Sequence, residues 1–142
     1  MAMNVDATAD QVRMICRQLR ILDFLESLPQ GLETSLDESL IFQLPHGVQR
    51  LLTLAQALIK DTSILLIDDL SQGLSPDQFQ TFIEVLPTLR TSIFTGQPRS
   101  VLIATDNRAL LEQCDLLCIL DHGVTTFQGT ADQLRQRLQN ST

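Results

Sequence analysis

Two carboxylates stand side by side at Asp68 and Asp69, directly after the apolar run Ile64 to Ile67. A hard divalent cation takes oxygen ligands, so acids released from the end of an apolar segment are placed for metal-phosphate chemistry. The plainer alternative is that they only solvate a strand terminus. A second apolar run, Val101 to Ala104, ends in the same way at Thr105 and Asp106. Other residue types capable of chemistry carry less. His46 and His122 are the only histidines, and neither has zinc-ligand spacing to the other or to Cys16, Cys114 or Cys118. His122, between Asp121 and Gly123, suits a turn, and the three cysteines suit small core positions in a reducing compartment. Arg13, Arg17 and Arg20 share one side of a helix, the pattern of a solvated face rather than an anion site.

The elements that must hold the acids follow from the apolar pattern. A short unbroken run suits a strand of a parallel sheet covered on both faces. In open α/β sheets ligands gather outside the carboxyl ends of such strands. Upstream, Thr8-Ala9-Asp10-Gln11 has capping-box spacing, and Val12, Ile15, Cys16, Leu19 and Leu22 recur at helical intervals, predicting a helix from about Ala9. A short helix over Asp23 to Leu28 follows, then a loop over Leu32 to Leu40. Leu51, Leu54, Ala55 and Leu58 share one face of a helix that starts at Gly47 and ends at Lys60-Asp61. Ser75-Pro76-Asp77-Gln78 combines an N-cap, a first-turn proline and a capping glutamine, so a helix runs from there to about Arg90, disturbed near Pro87.

Thr91 to Arg99, with Gly96 and Pro98, has the composition of a linker, and Ala109 to Gln113 allows a short helix. Leu116 to Leu120 is expected as a third buried strand, joined through Asp121-His122-Gly123 to Val124–Phe127 as a hairpin. Thr130-Ala131-Asp132-Gln133 caps a closing helix through about Leu138. Strands alternating with helices predict an α/β fold with a mainly parallel sheet.

Composition narrows the function classes. The chain has 142 residues, 44% of them hydrophobic, which suits one globular domain. Its formal net charge of -7 argues against a general nucleic-acid binder, and without Trp or Tyr it offers few platforms for stacking bases. No apolar run approaches the roughly 20 residues needed to cross a bilayer, and MAMNVDATAD lacks a leader pattern, so a cytosolic chain is expected.

In this order the features resemble the carboxyl-terminal part of the nucleotide-binding domain of an ATP-binding-cassette (ABC) transporter, most like the exporters. The resemblance covers nearly the whole chain. LPQGLETSLDE from Leu28 is similar to the segment before the signature loop, and LPHGVQRLLTLAQALI from Leu44 to that loop, usually LSGGQ, and its helix. SILLIDD is similar to the Walker B strand and LSQGLSPD to the loop after it. VLIATDNRALLEQCDLLCILDHGVTTFQGTADQL resembles the switch-histidine strand, the next helix and strand, and the terminal hairpin and helix. The resemblance implies a partial P-loop NTPase-like domain. A helical subdomain and signature helix would occupy about residues 5–60, and an α/β core part about residues 61–142.

The resemblance also implies roles for single residues. Asp68 matches the acid that organises Mg²⁺, with its chemistry intact. Asp69 stands at the catalytic glutamate, one methylene shorter and so with roughly 1.5 Å less reach. A misplacement of about 1 Å can cost on the order of a hundredfold in rate. Pro45, His46, Gly47 and Val48 occupy the signature loop that would meet nucleotide held by a partner. There Pro45 brings neither hydroxyl nor N–H, His46 replaces a glycine and Val48 a glutamine. Asp106 falls at the switch histidine, a carboxylate in place of a donor to the γ-phosphate, and Ser75 replaces an aspartate that joins the halves of a dimer.

No GxxxxGK followed by Ser or Thr occurs in these residues. In the family's sheet, the strand leading into that phosphate loop lies between those matching Val101 to Thr105 and Leu116 to Leu120. A chain without it must close the gap, leave two sheet edges, or accept a strand from another chain.

The expectation is therefore a degenerate or partial ATP-binding domain of an ABC transporter, with no independent hydrolysis. ATP and Mg²⁺ are the implied ligands. The implied partners are a transmembrane domain or subunit and a second nucleotide-binding domain or chain supplying the Walker A loop, with homo-oligomerisation possible and peripheral membrane placement through the partner. The competing reading is a docking or regulatory module that keeps the fold without turnover. A phosphoacceptor pair is a weaker third reading, since it needs a nearby lysine and Lys60 is the only one.

Overall fold

The computed structural model describes residues 7–35 and 37–141. Residues 1–6, 36 and 142, to which the amino-terminal reading and part of the Leu32 to Leu40 loop belong, lie outside the described residues. The described chain forms two compact units, one through Ala104 and one from Thr105 onward.

The first unit opens with α1 (Ala9–Gln18), begun by a capping box in which Thr8 and Gln11 each accept the other's backbone N–H. Ile15, Cys16 and Leu19 are buried, and α1 packs on α4 (His46–Ile59), whose Leu51, Leu54, Ala55, Leu58 and Ile59 are buried in turn. Between them lie α2 (Leu22–Glu26), a 3-10 turn at Gly31–Glu33 and α3 (Glu38–Gln43). The segment expected as loop is therefore partly helical. Its polar positions hide the period, but Asp37 caps α3 by accepting from the Leu40 N–H at 2.8 Å. Arg13, Arg17 and Arg20 are exposed as expected, with Arg13 3.7 Å from Glu26 and Arg20 3.1 Å from Glu84.

Next come β1 (Ile64–Asp68), α5 (Pro76–Val85), a 3-10 continuation over Leu86–Arg90, and β2 (Ser100–Ala104). Pro87 cannot donate to an α-helical ladder, and the helix tightens there as its sequence predicts. β1 and β2 pair in parallel, Ile64 with Ser100 through Asp68 with Ala104. Expected coverage on both faces is corrected: Leu65 and Ile67 are buried, whereas Ile64, Leu66 and Leu102 are 61%, 69% and 66% exposed. An unbroken apolar run shows that both faces are apolar, not that this chain covers both.

The linker expected over Thr91 to Arg99 is also corrected. Ser92 donates its N–H to the Gln97 carbonyl at 2.8 Å, and its hydroxyl accepts from the Phe94 and Thr95 N–H groups. Arg99 is buried and donates to the Thr62 carbonyl at 2.9 Å and to Asp61 Oδ1 at 2.8 Å. The turn is thereby fastened to the residues entering β1.

The second unit contains α6 (Arg108–Leu111), β3 (Leu117–Asp121), β4 (Val124–Gly129) and α7 (Ala131–Asn140). β3 and β4 form the expected antiparallel hairpin, with His122 at φ +48 and Gly123 at φ +79 making the left-handed two-residue turn. β3 is not the buried strand expected: Leu117 is buried, but Leu120 is 67% exposed. Thr130 and Gln133 cap α7, and Arg137 lies over the Phe127 ring, 5.7 Å from its centre, while donating to the Thr126 carbonyl.

Among the cysteines only Cys16 keeps the expected core position, where burial pushes its thiol from the ordinary 9.0 up to about 11. Cys118 is exposed, because it sits on the bare strand β3. Among the described residues β2 pairs with β1 alone, and β3 with β4 alone. No helix among the described residues is long and apolar enough to cross a membrane.

Candidate functional site

The carboxyl ends of β1 and β2 come out together, because their register is parallel and in step to the last residue. Asp68 pairs with Ala104, and the Asp69 N–H donates to the Ala104 carbonyl at 2.9 Å. The Asp68 side chain is exposed. Asp69 turns the chain at φ +37, a region that aspartate tolerates better than most residues because its short polar side chain bonds locally. It does so here: Asp69 Oδ1 accepts from the Ser71 hydroxyl at 2.6 Å. The two neighbours thus differ, with Asp68 presented to solvent and the Asp69 carboxylate engaged by its own loop.

That loop runs from Asp69 to Ser75, anchored by buried Leu70, and ends at α5. Ser75 Oγ accepts from the Gln78 N–H at 3.3 Å, and Gln78 Oε1 accepts from the Ser75 N–H at 2.9 Å. The start of α4 lies against the same loop. Pro45 is its N-cap without a side-chain hydrogen bond, and Gln49 Nε2 donates to the Leu44 carbonyl at 2.8 Å. The imidazole of His46 covers Gly73, and the side-chain amide of Gln78 covers Gly47. Val48 is buried, so its side chain packs in the core.

The structure therefore gathers His46 and Gly47 with the loop that follows Asp68 and Asp69. Asp106 is exposed and belongs to the second unit, just before Asn107, whose side chain caps α6 through the Ala109 N–H. Sequence reasoning missed Ser71, Gly73 and the second contact of Gln78. Its cap pattern identified Gln78 as a helix starter, while the contact with Gly47 depends on tertiary packing that no local pattern encodes.

Chemically, Asp68 offers one free carboxylate. Mg²⁺ takes one or two carboxylates together with phosphate oxygens and waters, so a single acid suits its protein share. Among the described residues no cluster of three or more His, Cys, Asp or Glu could hold an ion by itself. These residues also carry no glycine-rich phosphate loop. Mg²⁺ with ATP does not fit them as a self-contained site.

The chain is 30% identical over 135 residues to the glutathione/L-cysteine transport system ATP-binding/permease protein CydD of Bacillus subtilis, across 92% of this chain and 22% of that protein. It is 28% identical over 129 residues to an ATP-dependent lipid A-core flippase of Dechloromonas aromatica, across 91% of this chain and 21% of that protein. Its relatives are ABC exporters. An ABC exporter fold also superposes: a bacterial Atm1-family ABC exporter with ATP bound matches with a TM-score of 0.77 at 23% identity, over 94% of this chain and 22% of that one. The chain spans about a fifth of the length of these ABC exporters. No family model matches it.

Proposed function

We propose that this chain is a degenerate, partial ATP-binding domain of the ABC exporter kind, acting in nucleotide-dependent transport only together with other domains. The observation that carries this reading is the parallel β1–β2 pair. It presents Asp68 and Asp69 at its carboxyl end beside the start of α4, within a fold that superposes on an ABC exporter. Asp68 would supply the carboxylate toward Mg²⁺, and Asp69, shorter than glutamate and bonded to Ser71, would polarise water poorly. Residues 45–48 would form a worn signature surface, and Asp106 would stand at the switch position. A Walker A loop would come from a second nucleotide-binding domain or chain, and a transmembrane partner would hold the assembly at the cytoplasmic face.

A second reading, a docking module without turnover, is favoured by one specific observation: the Asp69 carboxylate and the His46 ring are both taken up within their own unit. Titration calorimetry with Mg²⁺ and ATP is expected to give no saturable binding to the 142-residue chain at micromolar nucleotide. Tight binding would overturn the need for a phosphate loop from elsewhere. With a transporter partner that restores turnover, Asp69→Ala is expected to lower the rate by roughly tenfold, less than the roughly hundredfold or more of an intact general base, because this carboxylate is short and bonded to Ser71. An unchanged rate would leave docking as the function.

A further inference from the structure

We infer that His46 and Gln78 are positioning residues that fasten the start of α4 to the loop after β1 and to the first turn of α5 that follows it, so that these segments move as one. The contacts run in opposite directions. From α4, the first helical side chain reaches across to the loop. A Cβ at Gly73 would run into the imidazole, with Cε1 at 2.5 Å and Cγ at 3.4 Å. From α5, the third helical residue reaches back, and a Cβ at Gly47 would meet Gln78 Cδ at 2.7 Å and Nε2 at 2.9 Å.

Each glycine serves as the socket for the other segment's side chain, and Gly73 is further required by its φ of +86. Gln78 is not free to withdraw, because its Oε1 also accepts the Ser75 N–H at 2.9 Å. The fastening is reciprocal and is made by side chains of this chain. It depends on the residue that departs from the resembled pattern: a glycine at position 46 would leave Gly73 uncovered. The replacement thus couples the turn at Pro45 to the segment carrying Asp69 and Ser75. A partner that presses on one displaces the other.

The test uses backbone nitrogen relaxation on the full chain. His46→Ala is expected to lower the order parameters of residues 71–74 from the rigid range of about 0.85 to about 0.6 or below, with those of β1 and α1 unchanged. Gly73→Ala should then add less in the His46→Ala background than in the wild type, because the ring it would strike is gone. Unchanged order parameters at 71–74, or an equal fall in β1 and α1, overturns the inference. An independent check needs no variant: the wild-type spectrum is expected to show a nuclear Overhauser contact between the His46 ring and the Gly73 Hα, and its absence also overturns it.

Discussion

Replacing Phe82 by alanine is expected to destabilise the chain by about 4 kcal/mol, the cost of emptying a well-packed aromatic site. Phe82 is fully buried on α5, the largest side chain in the core that water does not reach. The loss has two parts: apolar surface no longer removed from water, and a cavity that close-packed neighbours fill incompletely. Against a total of roughly 5–15 kcal/mol for an ordinary domain, that change removes from about a quarter to most of the stability. Urea unfolding followed by circular dichroism measures it. A midpoint equal to that of the wild type would show that α5 does not depend on this ring. The helix matters to the site because its first turn carries Ser75 and Gln78.

Arg99→Ala is expected to cost about 3 kcal/mol, within the range for breaking a buried ion pair from one side. The Arg99 side chain is 4% exposed and that of Asp61 18%, so removing the guanidinium strands a carboxylate with limited access to water. It also strips a donor from the Thr62 carbonyl and a longer one, at 3.4 Å, from that of Leu89. Asp61 is held at φ +51 three residues before β1, so the pair fixes how the chain approaches the acid-tipped strand. Asp61→Asn should cost less, since a neutral acceptor remains. The double variant should cost less than the sum of the singles. Additive losses in thermal unfolding would mean that the two residues act separately.

The local elements were legible where side chain and backbone act within a few residues. Thr8, Ser75 and Thr130 each announce a helix through the glutamine three positions on, and each makes the reciprocal bonds. The hairpin turn at His122-Gly123 was equally local. Legibility failed where the answer depends on what lies opposite. Leu65 and Leu66 are the same residue type side by side, yet one is buried and the other exposed, because coverage is decided by elements beyond the strand. Arg99 looked like the end of a linker, since nothing within its neighbourhood announces a partner at Asp61. At the site, Asp68 and Asp69 could be found as a pair, but the Ser71 bond that separates their roles required the turn to be built.

The pairing of β1 with β2 joins residues as distant in sequence as Ile64 and Ser100, whereas the backbone bonds inside α4 each span four residues. Closing so long an intervening segment costs chain entropy before any ladder bond repays it, so contacts of this kind form slowly. The carboxylates at Asp68 and Asp69 are accordingly expected to take their places later in refolding than the local bonds within α4. Pulse-labelled exchange is expected to register this as delayed protection of the Asp69 amide, which donates to the Ala104 carbonyl, relative to those within α4.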